Sequence, residues 1–340
     1  MARVKDAAAN KVPVKREGRE KFPRVMKLEL EKVYDVYMGE NHHQKAALYR
    51  DPSSNGTGIC DARKLRGREV SSNILIDANT AIEMIKVFDL PTVIFVKHTN
   101  PCGASSADSI SAAFTEALDC DRQGLFGTTV VVNGRVDRAL AGLIMDETRS
   151  VRIESVIAPY FDRDTIDIFS AKDDLVMFEL PKLKDGSDKE MDYKKVIGGF
   201  LVQDTDLKLI GEKGLQVVTK RAPSAEEESS LIFGNKIAKY TKSNAIVISK
   251  GTKTVGIATG QILREEAAAI ALRKAGERAR GATMASDARF SRADSIEYAH
   301  EAGITAIIHQ GGDKADPRII ETCDRYGMSM VTTGCRHFKH

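Results

Sequence analysis

The chain has 340 residues, of which 42% are hydrophobic and 29% charged, so it can bury a sizeable core and is long enough for two domains. No run approaches the roughly 18 apolar residues of a membrane-spanning helix, and no signal-peptide pattern opens the chain, so we expect a cytoplasmic protein with no membrane partner. The five cysteines are widely spaced and form no CxxC pair, which argues against a disulfide framework and a structural zinc site.

The net charge of +3 is concentrated at the N-terminus, where residues 1–22 carry seven basic side chains against three acidic ones. We therefore predict a basic N-terminal arm over residues 1–24, most simply interpreted as a solvated segment. Proteins that bind single-stranded nucleic acid usually interleave basic and aromatic side chains. Phe22 stands alone in the arm, so we expect no nucleic-acid partner.

Residues 25–222 are predicted to form a first α/β block that includes a linker. A helix capped by Asn79 or Thr80 should precede the central strand, Thr92–Val96, whose unbroken β-branched run is typical of a strand buried on both faces. A polar loop and a helix at 110–118 should follow directly. Further strands are predicted at Phe126–Asn133, Val151–Pro159, Leu175–Leu180 and Gly198–Asp204, with a charged linker at Lys182–Tyr193.

Residues 223–340 are predicted to form a second α/β block. A capping box, Ser224–Glu227, should open a helix that reaches Tyr240, and a later helix should hold Arg264 in its first turn. Strand and helix alternate throughout both blocks, which indicates the α/β class, although no sequence repeat is visible. Strands are predicted at Ala245–Ser249 and Thr254–Ala258, as a hairpin, and at Ala282–Ser286, Ile304–Ile308 and Met328–Thr332.

Lys97 and His98 stand where the central strand ends, and in open α/β sheets ligands bind at strand ends. A lysine there can stabilise an anion, and an adjacent histidine titrates near neutrality, so the pair suits proton transfer. On spacing alone, the better interpretation is that both are exposed loop residues. The cluster Asn100-Pro101-Cys102 directly after them favours a functional site.

Two other interpretations of this stretch are weaker. Cys102 near a histidine suggests a thiol nucleophile, but the sequence places no third orienting residue, and cysteine is commonly a small buried residue. The zinc-deaminase motif is not matched, because Asn100 stands where its glutamate belongs and Ser105 where its second cysteine belongs, and because His98 lies only four residues before Cys102. We therefore expect no catalytic metal.

Seven short motifs lie in collinear order between Gly39 and His340. The central one is Lys97-His98-Thr-Asn-Pro-Cys-Gly. The other six are Gly39-Glu-Asn-x-His43-Gln44, Gly198-Gly-x-Leu-Val-Gln-Asp, Lys242-Ser-Asn244-Ala, Gly260-Gln-x-x-Arg264, Ala285-Ser-Asp-Ala288 and Thr333-Gly-x-Arg336-His-Phe-x-His340. Together they resemble the motifs of AICAR transformylase, the family that formylates 5-aminoimidazole-4-carboxamide ribonucleotide (AICAR) in purine biosynthesis.

The resemblance implies two tandem cytidine-deaminase-like subdomains without zinc and a homodimer whose active sites lie at the subunit interface. It implies that 10-formyltetrahydrofolate, or a related pterin, is the co-substrate, and it leaves open a bound monovalent cation. Bifunctional relatives carry an N-terminal IMP cyclohydrolase domain, whereas only 38 residues precede Gly39 here. We therefore expect a stand-alone transformylase, with a separate cyclohydrolase closing the ring.

The resemblance also implies residue roles. His98 would be the general base that takes a proton from the attacking amine, Lys97 would stabilise the oxyanion and help protonate the departing folate nitrogen, and Asn244 would steady the tetrahedral intermediate. The implied substrate contacts are Asn41, His43, Gln44, Glu154 and Arg336, the last of them to the phosphate. The implied folate or nearby contacts are Phe126, Gly127, Arg264, Asp294, Asp313 and Lys314.

The chain departs from the family pattern at both binding walls. Tyr37 stands where the family has a phosphate-binding arginine, and Arg289 and Arg292 replace the outer phenylalanines of Phe-Phe-Pro-Phe. We hypothesise that Arg289 or Arg292 supplies the missing phosphate contact, or that the formyl donor is a modified pterin. Two alternatives from other classes remain: a non-catalytic nucleotide-binding relative, and a zinc-dependent deaminase-like hydrolase acting on a related imidazole nucleotide.

Overall fold

A mixed sheet of twelve strands runs through the protein, whose computed structural model describes residues 22–148, 150–186, 191–211 and 214–340. Helices pack on both faces of the sheet, which confirms the predicted α/β class. The predicted basic arm lies outside the described residues except for residues 22–24. Among the described residues, no helix combines the length and apolarity needed to cross a membrane.

The first half of the chain opens with a hairpin of β1 (Glu31–Val36) and β2 (Ala46–Arg50), which pair with each other and not with the large sheet. Most of the strands and helices that follow belong to the large sheet or pack on it, and two short strands among them, Arg135–Val136 and Tyr160–Phe161, form a separate pair. In chain order, these strands and helices are β3 (Arg63–Arg66), α1 (Ser72–Ile85), β4 (Thr92–Lys97), β5 (Asn100–Ser106), α2 (Ile110–Leu118), β6 (Thr128–Val132), β7 (Arg135–Val136), α3 (Arg138–Glu147), β8 (Ile153–Ala158), β9 (Tyr160–Phe161), α4 (Arg163–Phe169) and β10 (Val176–Glu179).

A second hairpin, β11 (Met191–Val196) with β12 (Gly199–Asp204), connects the halves and also stands apart from the large sheet. The second half then repeats the sheet-forming order of the first. Its elements are β13 (Gln216–Val217), α5 (Ala225–Tyr240), β14 (Ile246–Lys250), β15 (Lys253–Ala258), α6 (Arg264–Ala275), β16 (Thr283–Ser286), α7 (Asp294–Glu301), β17 (Ala306–His309), α8 (Asp316–Arg325) and β18 (Ser329–Thr332).

The two halves have the same topology. The strand order across the sheet is β13-β18-β17-β16-β14-β15-β5-β4-β6-β8-β10-β3. In the first half, β5 pairs antiparallel with β4 and β4 with β6, β6-β8-β10 are parallel, and β3 pairs antiparallel with β10. The second half repeats this pattern, with β15, β14, β16, β17, β18 and β13 in the same places. The equivalent helices α1 and α5 lie over one face and share a single core. The other face carries two separate cores, under α2–α4 and under α6–α8.

The halves join where β5 meets β15 in antiparallel pairing, with Lys253 opposite Ser105. Thr254 strengthens this seam, because its hydroxyl lies 2.9 Å from the Ala104 amide and 3.2 Å from the Ala104 carbonyl. The antiparallel seam brings the end of β4 in the first half beside the start of β14 in the second. We call this end of the sheet the Lys97 end.

Local patterns account for the main elements, with two corrections. Ser71 caps α1 by accepting from the Ile74 amide, so the helix begins at Ser72, and the prediction of a cap at Asn79 or Thr80 is wrong. The loop predicted after the central strand is also wrong, because residues 100–106 pair with β4 as β5. A two-residue turn at His98 and Thr99 leaves the backbone free to return along the same sheet.

Other predictions are confirmed within a few residues. The Ser224 capping box opens α5, which ends at Tyr240, and Arg264 is the first residue of α6. The predicted charged linker is correct only in part, since Met191–Val196 is strand β11 and residues 187–190 lie outside the described residues. The predicted boundary at residue 223 stays a prediction, although β13 already begins the second sheet unit at Gln216.

Candidate active site at the Lys97 end of the sheet

His98 sits on the hairpin turn between β4 and β5, and its side chain is exposed. Lys97 pairs with Asn100, so His98 and Thr99 are the two central turn residues, with φ of 52° and 64°. Turns of this geometry normally select Asn-Gly, because a left-handed backbone strains residues that carry a Cβ. The turn therefore needs support from outside its own sequence.

That support comes from Asp77, on the buried face of α1. Its carboxylate accepts from the His98 amide at 3.0 Å and from the Thr99 amide at 2.6 Å. Burial raises the pKa of Asp77, although the two amide hydrogen bonds and the nearby His98 side chain act in the opposite direction. Both oxygens of the Asp77 carboxylate are therefore used in hydrogen bonds to the turn.

Lys97 points from the last position of β4 toward the loop before β6. Its ammonium group donates to the carbonyl of Phe126 at 2.5 Å, and Phe126 is 57% exposed. Gly127 follows with φ of +82°, a conformation that side chains with a Cβ rarely adopt, and its own amide donates to the Arg152 carbonyl at 2.6 Å. The predicted folate residues Phe126 and Gly127 therefore lie next to the predicted catalytic lysine.

Glu154, at the start of β8, lies in a cluster with two arginines. Its carboxylate is 3.0 Å from the Arg68 guanidinium and 3.7 Å from that of Arg152. A Cβ on Gly127 would stand 3.8 Å from Glu154, and the charge of Glu154 also raises the pKa of Asp77. Glu154 is thus part of the same group as Asp77, Lys97 and His98.

The loop between β1 and β2 carries the predicted substrate contacts Asn41, His43 and Gln44. The Gln44 side-chain carbonyl accepts from the Asn41 amide at 2.8 Å, which closes the loop on itself. Asn73, in the first turn of α1, donates to the Glu40 carbonyl at 3.1 Å. This contact fixes the loop at the N-terminal end of α1, on the Asp77 side of the sheet.

The second half contributes a buried network around Asp287. The Arg264 guanidinium forms an ion pair with Asp287 and donates to the Asn244 side-chain carbonyl at 2.6 Å, while the Ser243 hydroxyl donates to Asp287. The Asn244 amide group donates to the carbonyls of Gln261 and Ile262. Asn244 therefore has three protein partners, and Arg264 acts within the protein as a structural cation.

The arginines that replace the family's phenylalanines are on the loop after β16, each beside a predicted folate residue. Arg289 is 2.8 Å from Asp313, and Arg292 is 2.7 Å from Asp294 and 3.9 Å from Glu265. Their side chains are 54% and 68% exposed, so both remain available to a ligand. Lys314 is exposed next to Asp313.

The C-terminal tail returns to the same network. His337 donates its amide to the Asp287 carbonyl at 2.9 Å, and Ser243 donates its own to the Lys339 carbonyl at 3.0 Å. The predicted phosphate ligand Arg336 is exposed, with its guanidinium 4.6 Å from the centre of the Phe338 ring. The tail thus brings Arg336 to the side of the site that holds Asn244.

Asn100 links the groups from the two halves. Its side-chain carbonyl accepts from the Lys242 amide at 3.1 Å, and its amide group donates to the His98 carbonyl at 2.9 Å. The predicted site residues therefore gather at the Lys97 end of the sheet, in a first-half group around His98 and a second-half group around Asn244. Among the described residues, the side chains of Arg289 and Arg336 form no hydrogen bond or ion pair with the His98 group.

Sequence reasoning missed Asp77, Arg68 and Asp287 as members of this arrangement. A signal for Asp77 existed, since it interrupts the apolar stripe of a helix whose other inward residues include Ile74 and Ala81. Asp287 lies inside the motif Ala285-Ser-Asp-Ala288, but the motif itself indicates no role for it. Nothing in the spacing of Arg68 distinguishes it from a surface residue.

Two chemical alternatives can be weighed against the geometry. Burial raises the pKa of the Cys102 thiol to about 12, so it is protonated near neutrality and is a poor nucleophile. Across residues 22–340, leaving out the undescribed positions, no group of three His, Cys, Asp or Glu side chains is arranged to hold a metal ion.

Comparison with known proteins gives long matches. The family described as AICARFT/IMPCHase bienzyme matches residues 3–274. The bifunctional purine biosynthesis proteins PurH of Acetivibrio thermocellus and of a Thermoanaerobacter species are 43% and 44% identical to this chain, over 95% and 94% of its length. The chain spans only 62% and 61% of those relatives.

A solved RibD structure from Acinetobacter baumannii also matches, but it is 19% identical, covers 30% of this chain and 33% of its own, and has a TM-score of 0.24, which is too low to compare folds. The sequence matches are decisive for membership, because they extend through the β4–β5 turn and nearly the whole chain. The chain belongs to the AICARFT/IMPCHase bienzyme family.

Proposed function

We propose that this protein transfers a formyl group from 10-formyltetrahydrofolate, or a related pterin, to the 5-amino group of AICAR in the cytoplasm. The observation that carries the proposal is the β4–β5 turn, which presents an exposed imidazole beside a lysine at an open end of the sheet. The family match supplies the class of reaction, and the geometry supplies a base and a cation next to each other.

His98 would take the proton from the amine as its nitrogen attacks the formyl carbon. The amine is a poor nucleophile because it is conjugated with the carboxamide, so a positioned base lowers the barrier directly. Lys97, released from the Phe126 carbonyl, would then neutralise the oxyanion and donate a proton to the departing nitrogen of the pterin. The contact to Phe126 supports this role, because it brings the lysine next to a residue proposed to bind the donor.

Asn244 is proposed to steady the tetrahedral intermediate. Its amide already has three protein partners, so this role requires that substrate replace the Gln261 or the Ile262 carbonyl. Exchange of one hydrogen bond for another of similar strength costs little.

The phosphate of AICAR is proposed to bind Arg336 together with Arg289 or Arg292. Arg289 is held by Asp313, and Arg292 is held by Asp294 with Glu265 farther away, so each guanidinium is oriented without being covered. AICAR affinity of Arg289→Ala and Arg292→Ala, measured by calorimetry, tests this assignment. Unchanged binding in both variants rejects it and leaves the loop for the formyl donor.

We further propose a homodimer with interfacial active sites, built from two cytidine-deaminase-like subdomains. The matching strand orders of the halves support the subdomains. The hairpin of β11 and β12 supports the dimer, because Ile197, Phe200 and Leu201 are exposed there without packing on the sheet. The open Lys97 end would gain a second wall from the partner.

The test is a formyl-transfer assay with AICAR that compares folate and methanopterin donors, with added potassium to reveal a bound monovalent cation. His98→Ala should abolish turnover while AICAR still binds. A non-catalytic nucleotide-binding relative would instead bind AICAR and show no transfer before or after the substitution. A zinc-dependent hydrolase would contain zinc by elemental analysis, and would release ammonia from its substrate without a formyl donor.

A further inference from the structure

The turn that carries His98 has an unusual backbone. His98 and Thr99 both have positive φ, and neither is glycine. A β-branched residue such as Thr99 is seldom found there, because its side chain crowds the main chain. A turn under such strain persists only where its surroundings hold it.

Both carboxylate oxygens of Asp77 accept hydrogen bonds from the backbone N–H groups of this turn. One oxygen accepts from the His98 amide and the other from the Thr99 amide, so neither is shared. The side chain projects from α1, a helix packed against β4 and β6, and is therefore a fixed point relative to the sheet. An asparagine could accept only one of these bonds, because its amide nitrogen would face a second donor.

The backbone carbonyl of His98 in this turn is hydrogen-bonded as well. The His98 carbonyl accepts from the Asn100 side chain at 2.9 Å and from the Thr99 hydroxyl at 2.6 Å. Every one of these bonds ends on the backbone of residues 98 and 99, and the His98 side chain stays exposed. The surroundings thus fix the main chain of the turn while the imidazole projects toward solvent.

We propose that Asp77 is a positioning residue, which holds the backbone turn of His98 and Thr99 in the left-handed conformation that aims the His98 imidazole at the substrate amine. The inference rests on the proposed function, because it assigns His98 the role of base. Asp77 acts here on the main chain of the histidine. Its loss should therefore change the rate of chemistry more than the affinity for AICAR.

The primary test compares Asp77→Asn with the wild type and with Asp89→Asn, a carboxylate whose side chain is 99% exposed just after the same helix. Misplacement of a catalytic group by about 1 Å costs on the order of 100-fold in rate. We expect kcat of Asp77→Asn to fall by about that factor, with KM for AICAR within about threefold of wild type and Asp89→Asn unchanged. A kcat within twofold of wild type overturns the proposal.

A second variant separates positioning from general loss of structure. Glycine adopts positive φ without strain, so Thr99→Gly removes the need for a clamp at that position. We expect kcat of the Asp77→Asn, Thr99→Gly double variant to be at least about tenfold higher than kcat of Asp77→Asn alone. Absence of rescue, or failure of the double variant to fold, means that the carboxylate serves folding and overturns the proposal.

Hydrogen exchange of the peptide that contains residues 97–100, followed by mass spectrometry without substrate, tests the clamp independently of turnover. Exchange at the two amides should be faster in Asp77→Asn and unchanged in Asp89→Asn. A wild-type protein that transfers no formyl group overturns the proposed function alone. Unchanged exchange in Asp77→Asn overturns the clamp alone.

Discussion

A buried ion pair between Asp287 and Arg264 holds together the second-half group of the site. Asp287 has no exposed side-chain surface and Arg264 is only 9% exposed, so each depends on the other for its charge to be compensated. The same aspartate accepts from Ser243, and its backbone carbonyl accepts from the His337 amide. One residue therefore ties together the start of β14, the start of α6 and the C-terminal tail.

We expect Asp287→Asn to lower the free energy of unfolding by about 3–5 kcal/mol, because it leaves the Arg264 guanidinium buried without a counter-ion. Urea denaturation of the two proteins measures this loss. Asp173→Asn is the matched control, since Asp173 pairs with Arg66 but is 93% exposed, and it should cost less than about 1 kcal/mol. Equal losses in the two variants would contradict the role given to Asp287.

His309, at the end of β17, is a second buried titratable residue beside this network. Both of its ring nitrogens are buried and without a hydrogen-bond partner among the described residues, and its ring lies 5.4 Å from that of Phe290. Burial lowers the pKa of His309 to about 4; Asp316 raises it and Arg264 lowers it by smaller amounts. The folded protein thus contains this imidazole in its neutral form at pH 5 and above.

This lowered pKa makes stability depend on pH with a definite sign. The unfolded chain takes up a proton on this histidine below about pH 6.5, whereas the folded chain does not until about pH 4, so the free energy of unfolding falls as the pH drops through that range. His309→Gln should reduce the loss between pH 7 and 4.5 by about 2 kcal/mol. Urea denaturation at both pH values measures this loss of unfolding free energy. His42→Gln is the exposed control, and an equal reduction of the loss in that variant would refute the assignment to His309.

At the scale of elements, the two halves use the same device to pack a helix on the hairpin strand that forms the seam. Gly103 on β5 approaches the end of α2 so closely that a Cβ would stand 2.2 Å from the Ala117 carbonyl oxygen. Gly256 on β15 meets α6 in the same way, 2.3 Å from the Ala271 carbonyl oxygen. The equivalence of these glycines is local evidence for the repeat seen in the strand order.

Alanine at either glycine should lower the free energy of unfolding by at least about 1–3 kcal/mol, because the added methyl group would clash with the backbone carbonyl of the packed helix, which cannot rotate away as a side chain can. Thermal or urea unfolding of Gly103→Ala and Gly256→Ala measures the cost. Gly142→Ala in α3 is the control, with nothing within 4 Å of the added Cβ, and it should be neutral or stabilising by about 0.5–1 kcal/mol. If Gly103→Ala and Gly256→Ala were as stable as Gly142→Ala, the helices α2 and α6 would have to move away from the added methyl groups at no cost, which would contradict this prediction.

At the scale of the whole molecule, the repeat creates two similar ends of the seam between the halves. Among the described residues, the proposed catalytic side chains lie at one of these two ends. At the Lys97 end, the turn of β4 and β5 meets the start of β14. At the opposite end, the turn of β14 and β15 meets the segment before β4, and there a cleft of about 180 Å³ is lined by side chains such as Phe88, Phe233 and Lys236. Lys236 is occupied there by the Val87 carbonyl, 3.0 Å away.

The proposed dimer predicts a change at the hairpin of β11 and β12. Ile197→Lys places a charge on a fully exposed apolar tip, so it should leave the circular dichroism unchanged, convert dimer to monomer in light scattering, and reduce formyl transfer at least about tenfold. Leu90→Lys is the control, since Leu90 is 57% exposed near the cleft at the opposite end, and it should leave the dimer intact. A dimeric and active Ile197→Lys protein would exclude this hairpin from the interface.

The sequence by itself determined the α/β class, most strand positions and the placement of the proposed catalytic pair, Lys97 and His98, at the end of the central strand, because these depend on local periodicity and on a contiguous motif. The strand Thr92–Lys97 was predicted at Thr92–Val96, and the capping box at Ser224 opens α5 as expected. Arg289 and Arg292 could be identified as departures from the family pattern because they directly follow the motif Ala285-Ser-Asp-Ala288.

The tertiary structure alone decided that residues 100–106 return as a strand, that the halves share one sheet, and that Asp77 holds the turn of His98. These features depend on contacts between residues far apart in the chain, such as Asp77 with Thr99 and Asn100 with Lys242, and no spacing within one segment reports such a contact. Local periodicity determines whether a segment becomes helix or strand, whereas the pairing of buried polar groups determines which segments meet.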